Sequence, residues 1–114
     1  MSKPRNDPLA ALRARALALP GAWEDHPWGD TVVKVGKKIF VSLGETTVTL
    51  KLSAAHAAAM SLPGAKPAAY GLGKAGWVTL PLDAGVPPVE ILCDWLDESY
   101  RTVAPKKLSA QMPP

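Results

Sequence analysis

The chain is poor in the residues that most often announce a chemistry. It has one cysteine, Cys93, in 114 residues. No internal disulfide is therefore possible, and a reducing cytoplasm is the simplest compartment. Two histidines, His26 and His56, beside that single thiol are too few for a zinc site, so no metal and no cofactor are expected. Long apolar runs are missing as well. The longest, Ala16 to Trp23, is broken by Pro20-Gly21 and closed by Glu24-Asp25. It falls far short of the roughly 20 residues a membrane span needs. Arg13 and Arg15 precede it as in a leader peptide, but its apolar stretch is short and has no cleavage site. No membrane partner is expected.

What is present suits one small domain. The chain is 47% hydrophobic and 20% charged, enough to bury a core and too apolar to stay disordered. The net charge is +3 and unevenly placed. Lys3, Arg5, Arg13 and Arg15 lead, and Glu24, Asp25 and Asp30 follow. Lys34, Lys37, Lys38 and Lys51 mark a basic centre, while Asp83, Glu90, Asp94, Asp97 and Glu98 mark an acidic C-terminal part. That order predicts two electrically different faces, one of them able to attract anions.

The pattern predicts α-β-β-β-α-β-β-α. Asp7 and Pro8 start a helix running to about Leu19, with Leu9, Leu12, Ala16 and Leu19 on one face. Trp23 to Asp30 reads as a polar, aromatic loop. Thr31–Val35, Lys38–Leu43 and Thr46–Leu52 alternate as strands joined by turns at Gly36-Lys37 and Gly44-Glu45. Ser53 can cap a short helix over Ala54 to Met60. Residues 65–76 read as a loop with a short strand near Tyr70, and Trp77 to Leu82 as a further strand. The last helix spans about Pro87 to Val103. Ile91, Leu92, Trp95, Ser99 and Val103 form its buried stripe, and Asp97 and Arg101 an exposed pair. The expected fold is a two-layer α+β sandwich, an antiparallel sheet of four or five strands with helices on one face. One domain covers 1–107, and 108–114 form a flexible tail.

Three patterns touch chemistry. Gly71-Leu72-Gly73-Lys74-Ala75-Gly76 spells the dinucleotide fingerprint, yet a strand follows it where a helix is required. A turn remains, whose N–H groups and Lys74 can hold one phosphate or carboxylate. Glu24-Asp25-His26 brings acid, base and imidazole together in sequence, but no supported Ser or Cys nucleophile lies nearby. No catalytic residue is assigned and no enzyme is expected. Lys34, Lys37, Lys38 and Lys51 fall on the central strands and turn. Such cations suit phosphate contact, and equally solubility and protection of a sheet edge.

The chain also resembles the MmcQ/YjbR family, small bacterial proteins of the double-wing DNA-binding class with a frataxin-like (CyaY-like) fold. The residues that carry the resemblance are Leu19-Pro20-Gly21, Glu24 to Gly29, Lys34-Val35-Gly36 and Lys38-Ile39-Phe40. Lys51-Leu52, Lys74, Trp77, Ser99-Tyr100 and Val103 to Lys106 complete it. Many members read Tyr-His and Asn-Lys where this chain has Tyr70-Gly71 and Gly73-Lys74. The resemblance implies a non-enzymatic DNA-binding protein of low sequence specificity, in agreement with lysines on the central strands. The nucleic-acid-binding set is then Lys34, Lys37, Lys38, Lys51 and Lys74. The alternative is a small-molecule or peptide-binding domain with a pocket of His26, Trp28, Tyr70, Trp77 and Tyr100. Either would act as a monomer or weak homodimer.

Overall fold

A computed structural model describes residues 8–27, 31–68, 75–82 and 87–111. The elements are α1 (Pro8–Leu17), β1 (Ala22–Asp25), β2 (Thr31–Val35), β3 (Lys38–Leu43), β4 (Thr47–Lys51), α2 (His56–Met60), β5 (Lys66–Pro67), β6 (Trp77–Pro81), α3 (Val89–Val103) and α4 (Lys106–Ser109). The strands form one six-stranded antiparallel sheet in the order β1-β2-β3-β4-β6-β5.

Strand alternation sorts the sheet into two faces. Val33, Val41, Leu50 and Val78 sit opposite one another across four strands, and Leu43, Val48 and Leu80 extend the same face. All are buried. Leu12 and Ala16 of α1, Ala59 of α2, and Leu92, Leu96 and Tyr100 of α3 close over them in one core. Each fully buried Leu contributes about 1.5–3 kcal/mol. The sandwich is therefore α+β with helices on one face.

One strand is additional to the expected set, and another lies apart from its expected place. β1 lies where a loop was expected, because Ala-Trp-Glu-Asp has no apolar alternation to reveal it. As an edge strand it needs none: Ala22 and Glu24 turn to the helix side, and Trp23 and Asp25 to the other. β5 is two residues long and ends in Pro67, tolerated on an outer edge. Tyr70, the expected centre of that strand, lies outside the described residues. α4 begins at the end of the expected domain and runs into the expected tail. Its Leu108 is half-buried against the core, and a Cβ on Gly21 would lie 3.0 Å from the Leu108 Cδ1.

The helices also depart in detail. The buried stripe of α3 is Leu92, Leu96, Ser99 and Tyr100, while Ile91 is 41% exposed. Asp97 does not pair with Arg101. It accepts a two-pronged bond from Arg15 Nε (3.0 Å) and Nη2 (2.6 Å), which ties α3 to α1. A planar fork on a half-buried carboxylate outcompetes an exposed pair along the helix. Ser53 does not cap α2. Glu98 Oε2 instead accepts the backbone N–H groups of Ser53 (2.7 Å) and Ala55 (3.2 Å).

Candidate nucleic-acid interface

Among the described residues, the second face of the sheet carries no helix of the core layer. Register places Trp23 beside Lys34, Lys34 beside Ile39, and Lys51 beside Trp77. These side chains form a row across β1, β2, β3, β4 and β6, next to the β2–β3 hairpin. Thr49 and Thr79 follow in the next row, their hydroxyls 3.0 Å apart, and register sets Lys66 beside Thr79.

The four described lysines of the expected set are not equivalent. Lys37 and Lys38 are exposed around the hairpin turn and make no ion pair among the described residues. Gly36 opens that turn at φ 64°, the left-handed region glycine accepts at little cost. Lys51 is half-buried in β4 and also makes no ion pair among the described residues. Lys34 is committed: its Nζ donates to Asp25 Oδ2 at 2.9 Å and lies 5.1 Å from the Trp23 ring centroid. Lys34, and then the His26 N–H, hold the Asp25 carboxyl below its ordinary value. Lys74 lies outside the described residues. Trp23 and Lys66 belong to the same face and are absent from the expected set. A four-residue polar strand hides the outward direction of Trp23, and a two-residue strand gives Lys66 no period.

The three described residues of the alternative pocket, His26, Trp77 and Tyr100, do not gather. Trp28 and Tyr70 lie outside the described residues. His26 follows the end of β1 and is exposed, whereas Trp77 opens β6 at the hairpin side of the sheet. With β2, β3 and β4 between those strands, β1 and β6 stand roughly 19 Å apart at about 4.8 Å per step. Tyr100 is fully buried on the opposite layer, where its hydroxyl donates to Pro20 O at 2.5 Å. Burial pushes its pKa above the ordinary 10.0.

Glu24, Asp25 and His26 do not converge as one three-residue cluster, because strand alternation points Glu24 and Asp25 to different faces. Glu24 accepts from Arg13 Nε at 2.6 Å and lies 2.8 Å from His26 Nε2. The Arg13 hydrogen bond is the main cause that holds the Glu24 carboxyl low. Cys93 is half-buried in α3, and burial pushes its thiol up, away from a reactive thiolate. Of the fingerprint glycines, Gly76 is described. It has φ 98°, accepts the Leu52 N–H at 2.9 Å, and a Cβ there would meet Leu52 O at 2.7 Å. Close backbone approach therefore explains that glycine without a nucleotide.

Residues 99–100 join three parts of the family pattern in one buried knot. Ser99 Oγ accepts the Lys51 N–H (2.9 Å) and donates to Phe40 O (2.5 Å). The Phe40 and Tyr100 rings meet edge to face at 5.2 Å, and the Tyr100 hydroxyl reaches Pro20.

These features define a class: an α+β domain with one sheet face sealed by helices and the other carrying lysines and tryptophans. The profile of the YjbR family matches residues 17–102 of the chain. The chain belongs to the MmcQ/YjbR family. No curated protein matches the sequence. No described helix is long and apolar enough to cross a membrane.

Proposed function

We propose that the chain is a non-enzymatic DNA-binding module that takes the phosphate backbone on the β2–β3 hairpin and the adjoining sheet face. The observation that carries this reading is the group of lysines at the hairpin and on the open face that pair with no carboxylate among the described residues. Lys37, Lys38 and Lys51 lie at the hairpin and on the open face without carboxylate partners among the described residues, and Lys66 sits on the same face. Glu90, Asp94, Asp97 and Glu98 lie on α3 in the helix layer. Backbone cations of this kind favour phosphate without reading sequence.

The test is a salt titration of binding to a labelled duplex. Each phosphate contact contributes a slope of about −0.9 in log K against log salt. Lys37→Ala with Lys38→Ala is expected to reduce the slope by up to about two units. No binding at low salt, or an unchanged slope in the double variant, would leave the hairpin lysines as solubilising groups.

A further inference from the structure

We infer that the open face prefers single-stranded DNA to duplex, with Trp23 as the platform on which an unpaired base stacks; this rests on the DNA-binding reading above. Trp23 is 44% exposed, and among the described residues only Ile91, on the helix layer, is a comparably exposed large hydrophobe. An exposed indole on a four-residue edge strand could simply be loose. This one is held. Its Nε1 donates to Gly36 O at 2.9 Å, and the Lys34 ammonium lies 5.1 Å from the ring centroid. A ring fixed before binding loses little rotamer freedom when a base lies on it.

Its neighbours suit a nucleotide. The carbonyl that anchors Trp23 belongs to Gly36, and the next two residues are the exposed Lys37 and Lys38. The hydrogen bond therefore sets a stacking surface beside two cations that have no carboxylate partner among the described residues. Base on aromatic and phosphate on lysine is the combination that binds single strands without sequence preference. Lys51 beside Trp77 repeats the pairing further along the same row. A duplex offers the phosphates and keeps its base faces stacked inside, so Trp23 adds nothing to duplex binding. Among the described residues, the carboxylate set on this face close to the ring, Asp25, is already paired with Lys34.

The experiment compares one labelled mixed-sequence DNA oligonucleotide as single strand, the same oligonucleotide annealed to its complement, and an RNA of the same sequence, by anisotropy at several salt concentrations. The single strand is expected to bind most tightly. Trp23→Ala should weaken it roughly 5- to 100-fold with duplex affinity and salt slope unchanged. Unchanged duplex affinity also shows that the variant is folded. If Trp23→Ala does not fold, Trp23→Tyr is read instead: single-strand affinity falls several-fold and duplex affinity stays. Duplex binding as tight as single strand, or equal weakening of both by the variant, overturns the inference while salt-dependent DNA binding stands. Tighter binding of RNA overturns the assignment to DNA. Absence of salt-dependent binding to every oligonucleotide overturns both readings.

Discussion

Replacing Ser99 by Ala tests how the sheet absorbs its irregularity. The β2–β3 register shifts between Val33 and Lys34, so Phe40 is an extra residue in β3. Next to it the β3–β4 pairing stops at Val41 opposite Leu50. One step further, Phe40 O and the Lys51 N–H would form the next ladder bond. Ser99 Oγ stands between them, accepting from Lys51 at 2.9 Å and donating to Phe40 at 2.5 Å. Ser99 is fully buried, so water has no ready access to either group. Alanine removes both bonds and strands one donor and one acceptor. Each unsatisfied buried group costs about 1–3 kcal/mol, so Ser99→Ala should cost about 2–6 kcal/mol in total. At about 4 °C per kcal/mol for a domain of this size, the melting temperature should fall by roughly 8–24 °C. Urea and thermal unfolding monitored by circular dichroism give the number. A loss below about 0.5 kcal/mol would refute the reasoning, since the strands would then close on each other directly without the hydroxyl.

Three further outcomes follow from the same packing. Gly76→Ala drives a Cβ against Leu52 O at 2.7 Å and should cost at least about 2 kcal/mol. Gly36→Ala, with φ 64° and nothing within 4 Å of the added carbon, should cost about 1 kcal/mol; equal losses in the two melts would be inconsistent with the steric argument. Tyr100→Phe leaves Pro20 O without its donor and should cost about 1–2 kcal/mol. The raised pKa of Tyr100 means its stabilisation is complete below pH 10.0 and is lost as pH rises through the folded value; the phenylalanine variant should flatten that alkaline limb in melts from neutral pH upward. At the acid end the signs reverse. Glu24 and Asp25 titrate below their ordinary 4.5 and 3.8, so their stabilisation is complete above those values and is lost as pH falls through the folded ones. Arg13→Ala should bring the folded Glu24 value back toward 4.5 and so shrink the Glu24 part of that limb, and an unchanged acid limb would remove the Arg13–Glu24 pair from the account.

Long, regular elements were legible because burial enforces their period. Val48, Leu50 and Leu52 alternate, and all three are buried as the alternation requires. α1 likewise buries Leu12 and Ala16 at helical spacing. Short edges were not legible. β1 has four residues and β5 two, and neither has a fully covered face, so polar residues occupy them without penalty. The rotation of α3 was misread for a different reason. Ile91 looked like core and Tyr100 like a ligand-facing hydroxyl, yet one is 41% exposed and the other fully buried. Side-chain type alone does not reveal that Pro20 offers a carbonyl at the end of Tyr100, because the two are 80 residues apart. The basic face was half legible. Lys37 and Lys38 announced themselves at a glycine turn, while Lys34 drew attention as a free cation and is in fact bound to Asp25. Trp23 was hidden because its exposure depends on β1 being a strand.

The residues that carry the family resemblance thereby separate into two groups with different physical duties. Pro20, Phe40, Lys51 (through its backbone), Ser99 and Tyr100 converge on a single knot of hydrogen bonds and ring contact between sheet and helix layer. The groups that form this knot are satisfied internally, so they specify how α3 locks onto β3 and β4. They offer no free polar atom to a ligand. A family pattern dominated by such residues identifies the fold with confidence and says little about the partner. The side chains left with unused capacity lie elsewhere: the ammonium groups of Lys37, Lys38 and Lys51, and the free area of Trp23. Lys38 and Lys51 belong to the family pattern, while Lys37 and Trp23 do not. Members that keep the knot can therefore differ at the hairpin and on β1 without disturbing the fold, and a difference in partner should follow those positions and leave the Ser99-Tyr100 junction unchanged.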